Sequence, residues 1–119
     1  MSIRNDGLIK TFVADGVLQG RRLVTFGTGR MTMRQANAAT DALIGVTTQI
    51  GSENHGRVDV IVSGITEVSA GASFTKGTVL TSNSEGKVVA ATDPTHRIIG
   101  IALEDVETDD YAAVLLAQG

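Results

Sequence analysis

The residues that could do chemistry are few. They are His55 and His96, Ser52 and Ser63, Lys87, and the acidic run Glu104-Asp105-Val106-Glu107-Thr108-Asp109-Asp110. There is no cysteine, which excludes a thiol nucleophile, a Cys-ligated zinc or iron–sulfur site and a disulfide framework. A serine hydrolase would need one of the histidines with Ser52 or Ser63, and no Gly-x-Ser-x-Gly elbow is present. His55 lies in Gly51-Ser52-Glu53-Asn54-His55-Gly56, which reads as a turn, and His96 just precedes an apolar strand. Neither has the spacing of a metal motif. The acidic run lacks the Asp-x-Asp-x-Asp-Gly order of a calcium loop and reads as a solvated turn. Gly27-Thr28-Gly29 leads into a strand rather than a helix, so it is no dinucleotide loop. The residues imply no enzyme, with no catalytic side chain, metal or cofactor.

The elements around these residues are mostly β. With 119 residues the chain is expected to form one domain with a genuine core. Val, Ile and Thr supply 36 residues, stiff side chains that suit a pleated surface. Fourteen glycines against a single proline, Pro94, punctuate them as turns between short strands. No run reaches the roughly 20 apolar residues that cross a bilayer. The opening Met1–Gly7 lacks the basic and apolar regions of a secretory signal. A net charge of −3 argues against a nucleic-acid partner. The charge is uneven: residues 1–34 hold six bases and two acids, residues 35–119 four bases and eleven acids. Such asymmetry can orient a protein on a charged partner.

The chain also repeats itself. Gly20-Arg21-Arg22-Leu23 and Gly29-Arg30-Met31 align with Gly77-Thr78-Val79-Leu80 and Gly86-Lys87-Val88 at an offset of 57. Leu43-Ile44-Gly45-Val46 aligns with Ile98-Ile99-Gly100-Ile101 at 55, and Arg57–Val62 with Tyr111–Leu116 at 54. The pattern predicts two units, about residues 15–64 and 71–119, in a small all-β barrel or sandwich with pseudo-twofold symmetry and little or no helix. Each unit has a strand, a Gly-basic turn, a second strand, a polar loop, a continuous apolar strand expected to be buried on both faces, and a closing alternating strand. Ser63–Lys76 reads as the connector. Residues 1–14 have no counterpart in this alignment and read as an edge strand, Leu8–Ala14, or as an arm that adds a strand to a partner.

The second unit carries a family resemblance. Its Gly71-Ala72 step before Lys76-Gly77, its Gly86-Lys87 hairpin and its Ile99-Gly100-Ile101-Ala102-Leu103-Glu104 strand resemble the capsid cement, or head decoration, proteins of tailed bacteriophages. The resemblance spans about residues 12–117. It implies a structural virion protein on the outside of the head, made in the host cytoplasm. It also implies a trimer on the capsid that fastens the major capsid protein, and no catalytic residues. On this reading the basic first third faces the capsid, with Ile3, Arg4, Leu8, Lys10, Arg21 and Arg22 as contacts. The alternative is a biotinyl- or lipoyl-like carrier, or another small β binding domain. In the carrier case Lys87 would hold the group, although Gly86 and Val88 replace the flanks expected of a carrier lysine.

Overall fold

The computed structural model describes residues 5–6 and 9–116. It contains β1 (Asn5–Asp6), β2 (Ile9–Ala14), β3 (Leu23–Phe26), β4 (Thr32–Gln35), β5 (Gly45–Thr47) and β6 (Arg57–Ile61). These are followed by β7 (Gly64–Ser69), β8 (Val79–Ser82), β9 (Val88–Ala90), β10 (Gly100–Ala102) and β11 (Tyr111–Leu116), with no helix among the described residues. Strands β2-β4-β3-β5-β6 close into a barrel, and the rest form a six-stranded sheet in the order β1-β7-β11-β10-β8-β9. The chain is all-β, as its β-branched composition predicts.

The repeat is visible hydrogen bond by hydrogen bond. Strand β2 runs antiparallel to β6 as β7 does to β11, and β3 pairs with β4 and β5 as β8 does with β9 and β10. Ala14 donates its N–H to Gly56 and accepts from His55; Ala70 does the same with Asp110 and Asp109. His55 and Asp109 both adopt left-handed backbone, at φ 69° and 70°. The bridge Leu18–Ser52 recurs as Phe74–Val106. The two units differ in closure. Strands β2 and β4 pair in parallel at Val13–Thr32 and Ala14–Met33, whereas a single parallel bridge, Ala70–Val88, draws the second unit together.

These pairings correct the unit boundaries. Residues 9–14 are not outside the duplicated core: β2 is hydrogen-bonded on both sides within the closed barrel, and β7 is its counterpart. Ser63–Lys76 is accordingly not only a connector, because it contains the opening strand of the second unit. The alternation in Gly64-Ile65-Thr66-Glu67-Val68-Ser69 is short and sits among small polar residues, so its period is masked by the composition around it. Among the described strands only β1 lies beyond the repeat, as an edge strand on β7 through Asn5–Ile65 and Asp6–Gly64.

Gly45 and Gly100 occupy equivalent places for a shared reason. A Cβ at Gly45 would land on the carbonyl oxygen of Ile61, and one at Gly100 on that of Leu115. The closing strand of each unit passes so near that only glycine fits. Two apolar clusters result. One fills the barrel with Ala14, Leu18, Val24, Met33, Val58 and Val60. The other joins Leu23, Val46 and Ile61 of the first unit to Val68, Leu80, Val88 and Val114 of the second.

Two carboxylates brace loops. Asp15 Oδ2 accepts from the Thr28 N–H at 2.8 Å and from Thr28 Oγ1 at 3.1 Å. Asp93 Oδ1 accepts from the N–H and the hydroxyl of Thr95, both at 2.8 Å. The backbone N–H in each case is the main cause holding the carboxyl below its ordinary value of 3.8. A depressed folded value contributes stability that is complete above the unfolded value and is lost as pH falls through the folded one. Thermal melts should therefore be flat in this respect above the ordinary carboxylate range and decline below it. Asp15→Asn with Asp93→Asn should flatten that decline; an unchanged acid slope in the double variant would remove these two groups as its source.

Candidate functional site

Residues directly opposite one another on neighbouring strands place their side chains on the same face. Val79 lies opposite Ile101, Ile101 opposite Leu115, and Leu115 opposite Ile65. The result is an apolar row across four strands of the second unit. Val79 is 42% exposed, Ile101 36% and Leu115 39%, and Leu103, two residues beyond Ile101, is exposed as well. Single exposed apolar residues need no explanation, whereas these side chains adjoin one another in a contiguous row.

The first unit carries the same row in a different setting. Leu23 lies opposite Val46, Val46 opposite Ile61, and Ile61 opposite Ile9. Leu23, Val46 and Ile61 are fully buried, in one cluster with Val68, Leu80 and Val114. A face that serves as an internal interface in one unit is thus turned to solvent in the other. Burial on both faces, expected for Leu43–Val46 and Ile98–Leu103, holds for Leu43, Gly45 and Val46, with Ile44 half-buried, but not for Ile101 and Leu103, because among the described residues no element covers the second unit's outer side.

The sequence-predicted contact residues fall in several places. Lys10 is exposed on β2, opposite Val60. Ile3, Arg4 and Leu8 lie outside the described residues. Arg21 and Arg22 sit in the seam between the units. The Arg21 carbonyl accepts from the Ser69 N–H at 2.8 Å, and the Leu23 N–H donates to Gly86 at 2.8 Å. Arg22 Nη1 donates to the Glu85 carbonyl at 2.9 Å. Arg21 is buried, with Nη2 3.9 Å from Glu67 Oε1. Its backbone is left-handed, φ 58°; the strand register, Leu23 on Val46 against Val79 on Ile101, shifts the sequence alignment by one residue, so its counterpart in the second unit is Gly77, φ 86°, rather than Thr78. Each of the two donates its N–H to the facing strand, Arg21 to Thr48 and Gly77 to Ala102. That conformation costs a side-chain-bearing residue roughly 1–2 kcal/mol.

The chemistry-bearing residues are engaged locally. His55 is an exposed turn residue, and His96 Nδ1 accepts from the Thr92 N–H at 3.3 Å. Ser52 Oγ donates to the Glu53 carbonyl at 3.0 Å. Lys87 Nζ pairs with Asp109 at 3.1 Å, with 18% of the lysine side chain accessible. In the acidic run, Asp105 accepts from the Lys76 N–H at 2.9 Å and Val106 is buried against Phe74. Among the described residues no three metal-ligating side chains come together.

The apolar row was not foreseen from sequence. Leu43-Ile44-Gly45-Val46 and Ile98-Ile99-Gly100-Ile101 look equally apolar, and nothing in either run says which copy lacks a cover. The usable signal was the count of units: with two stacked units, one of the two equivalent faces has no internal partner.

No curated protein matches the chain. Among solved structures it is similar to the head fiber gp8.5 N base of bacteriophage phi29, with a TM-score of 0.74 and 19% identity over 92% of this chain and 93% of that one. At that identity the likeness is one of fold. A family model described as phage cement protein matches residues 4–117, which takes in both units and the seam between them. The chain belongs to the phage cement protein family.

Proposed function

We propose that the protein decorates the outside of a bacteriophage head and stabilises the lattice of the major capsid protein, docking through the row Val79–Ile101–Leu115. The observation that carries this reading is the unequal fate of the two equivalent rows: one is buried within the molecule and the other is exposed. The protein acts there as a homotrimer. Three weak contacts in one assembly share a single entropic cost of docking, so a modest surface per copy suffices. Lys10 on β2 and the N-terminal residues Ile3, Arg4 and Leu8 are further contacts. The role is structural rather than enzymatic, and the virion surface is its location after synthesis in the host cytoplasm. The carrier alternative gains no support, since Lys87 is held against Asp109.

The test is mechanical. Heads stripped of the protein should release their genome at a lower temperature than decorated heads, and adding the purified chain back should restore the difference. Identical release temperatures with and without the protein would refute stabilisation of the lattice.

A further inference from the structure

We infer that the tip of the β3–β4 hairpin of one copy, Phe26–Met31, docks in the groove lined by Phe74, Thr78, Ala90, Asp105 and Glu107 of a second copy, joining copies head to tail. This contact rests on the trimer proposed above and supplies its interface. The chain already holds one contact of the kind. The tip of the β8–β9 hairpin lies on the first unit: the Gly86 carbonyl accepts from the Leu23 N–H at 2.8 Å, and the Glu85 carbonyl accepts from Arg22 Nη1 and Gln35 Nε2, both at 2.9 Å. Strand register pairs Leu23 with Val46 as Val79 with Ile101, and Val24 with Gln35 as Leu80 with Ala90. The counterparts of Arg22 and Gln35 are therefore Thr78 and Ala90, and both line the groove. The seat of the first unit is filled by the tip of the second, whereas the seat of the second unit is open among the described residues.

The first unit has the matching tip. Phe26 lies opposite Met33 as Ser82 lies opposite Val88, so Met31 is the counterpart of Gly86, and both are left-handed, at φ 57° and 72°. Val13, opposite Arg57, likewise matches Ser69, opposite Tyr111. Chemistry and exposure are inverted between these sets. Ser69, Ser82 and Gly86 are buried, while Val13, Phe26 and Met31 are exposed, the last two by 59% each. Water alone favours the opposite assignment. Large apolar side chains kept in water at a hairpin tip, one of them on backbone that suits glycine, fit a surface that a partner covers. The Met31 carbonyl is taken by the Val13 N–H at 3.1 Å, so this tip docks through its side chains.

Charge selects the occupant. Within the chain, a tip carrying Glu85 lies on a seat carrying Arg22. In the free pair both signs are reversed. The tip carries Arg30, with Arg57 beside Val13 and Met31, and the seat carries Asp105 and Glu107, all four exposed. Asp105 accepts from the Lys76 N–H, and a carboxylate has lone pairs left for another donor. The units differ as wholes: residues 9–61 hold six bases and four acids, residues 62–119 three bases and eight acids. A head-to-tail contact sets the basic unit of one copy against the acidic unit of the next, and such contacts close into rings. A tip paired with its own kind would set Arg30 against Arg30.

The chain has no cysteine, so Met31→Cys and Glu107→Cys variants carry one thiol each. Mixed in equal amounts and oxidised, they should form the unlike disulfide in several-fold excess over either like pair. In sedimentation, Arg30→Glu and Glu107→Lys should each weaken self-association about fivefold, and their mixture should regain it. Both positions are exposed, so the melts should stay unchanged. On decorated heads, a benzophenone attached to the Met31→Cys variant should capture a second copy. Like disulfides equalling the unlike one, or self-association unchanged by both charge reversals, would overturn the contact; a trimer surviving those results would be built on another surface. Capture of the major capsid protein in place of a second copy would overturn the occupant. Copies that associate neither in solution nor on heads would remove the contact and the trimer together.

Discussion

Gly100→Ala unfolds roughly 10–15 °C below the parent chain in a thermal melt followed by circular dichroism. The added methyl group meets the carbonyl oxygen of Leu115 on β11, and also the side chain of Val114. Both belong to a strand paired with β10 over three residues and with β7 over six, so it cannot move aside alone. Overpacking of a well-fitted interior costs about 1–3 kcal/mol and more when backbone must shift. A single methyl on backbone belongs at the upper end of that range. Gly45→Ala meets Ile61 in the same manner and should lose a similar amount. By contrast, Gly77→Ala meets nothing nearby, so its cost is limited to the left-handed backbone and should be distinctly smaller. Equal losses at Gly100 and Gly77 would show that backbone conformation, not close approach, makes these glycines necessary.

Ile101→Lys with Leu115→Lys abolishes attachment to heads while leaving the fold in place. Both side chains are more than a third exposed, so lysine can reach water and the melt should change little. At a docked surface the outcome differs. Full burial of an isoleucine-sized side chain stabilises by roughly 1.5–3 kcal/mol, and an unpaired ammonium in its place is itself unfavourable. Occupancy of undecorated heads should demand at least about a thirtyfold higher protein concentration. Ile50→Lys is the control, because Ile50 is 72% exposed but lies outside the row. If the double variant fills heads at the parent concentration, the row is not the contact.

Much of the fold was readable from residue types. Gly86-Lys87 marks a hairpin because Gly86 takes the left-handed backbone, φ 72°, that a tight turn needs. Val58, Val60 and Val62, and Ala112, Val114 and Leu116, alternate along the closing strands, and all but half-buried Val62 are buried, although Ile61 and Ala113 on the other face are buried as well. What escaped was long-range. Strand β7 sits among small polar residues and shares with β2 only Ile9 with Ile65 and Ala14 with Ala70, so their equivalence rests mainly on shared hydrogen-bond partners. The site was harder still. Basic residues mark the first third of the sequence, and in the fold Arg21 and Arg22 lie at the seam, with Arg22 Nη1 on the Glu85 carbonyl and the Arg21 carbonyl on the Ser69 N–H. An arginine in sequence gives no sign of whether it faces outward or inward. Whether Ile101 is covered depends on what packs over β10, and no local pattern encodes that.

Strand β7 has a topological consequence. Its Gly64 lies opposite Asp6 on one side and Leu116 on the other. The first and last described strands therefore reach the same end of the same strand, about two strand spacings, or roughly 10 Å, apart. A linker of a few residues could close that gap, and the chain could then be opened between β6 and β7 without cutting a strand. The order of the two units along the polypeptide is thus not what holds the molecule together; a circular permutant with the second unit first keeps every strand pair. Asp6 and Leu116 thus share a single pole of the described fold, on either side of Gly64.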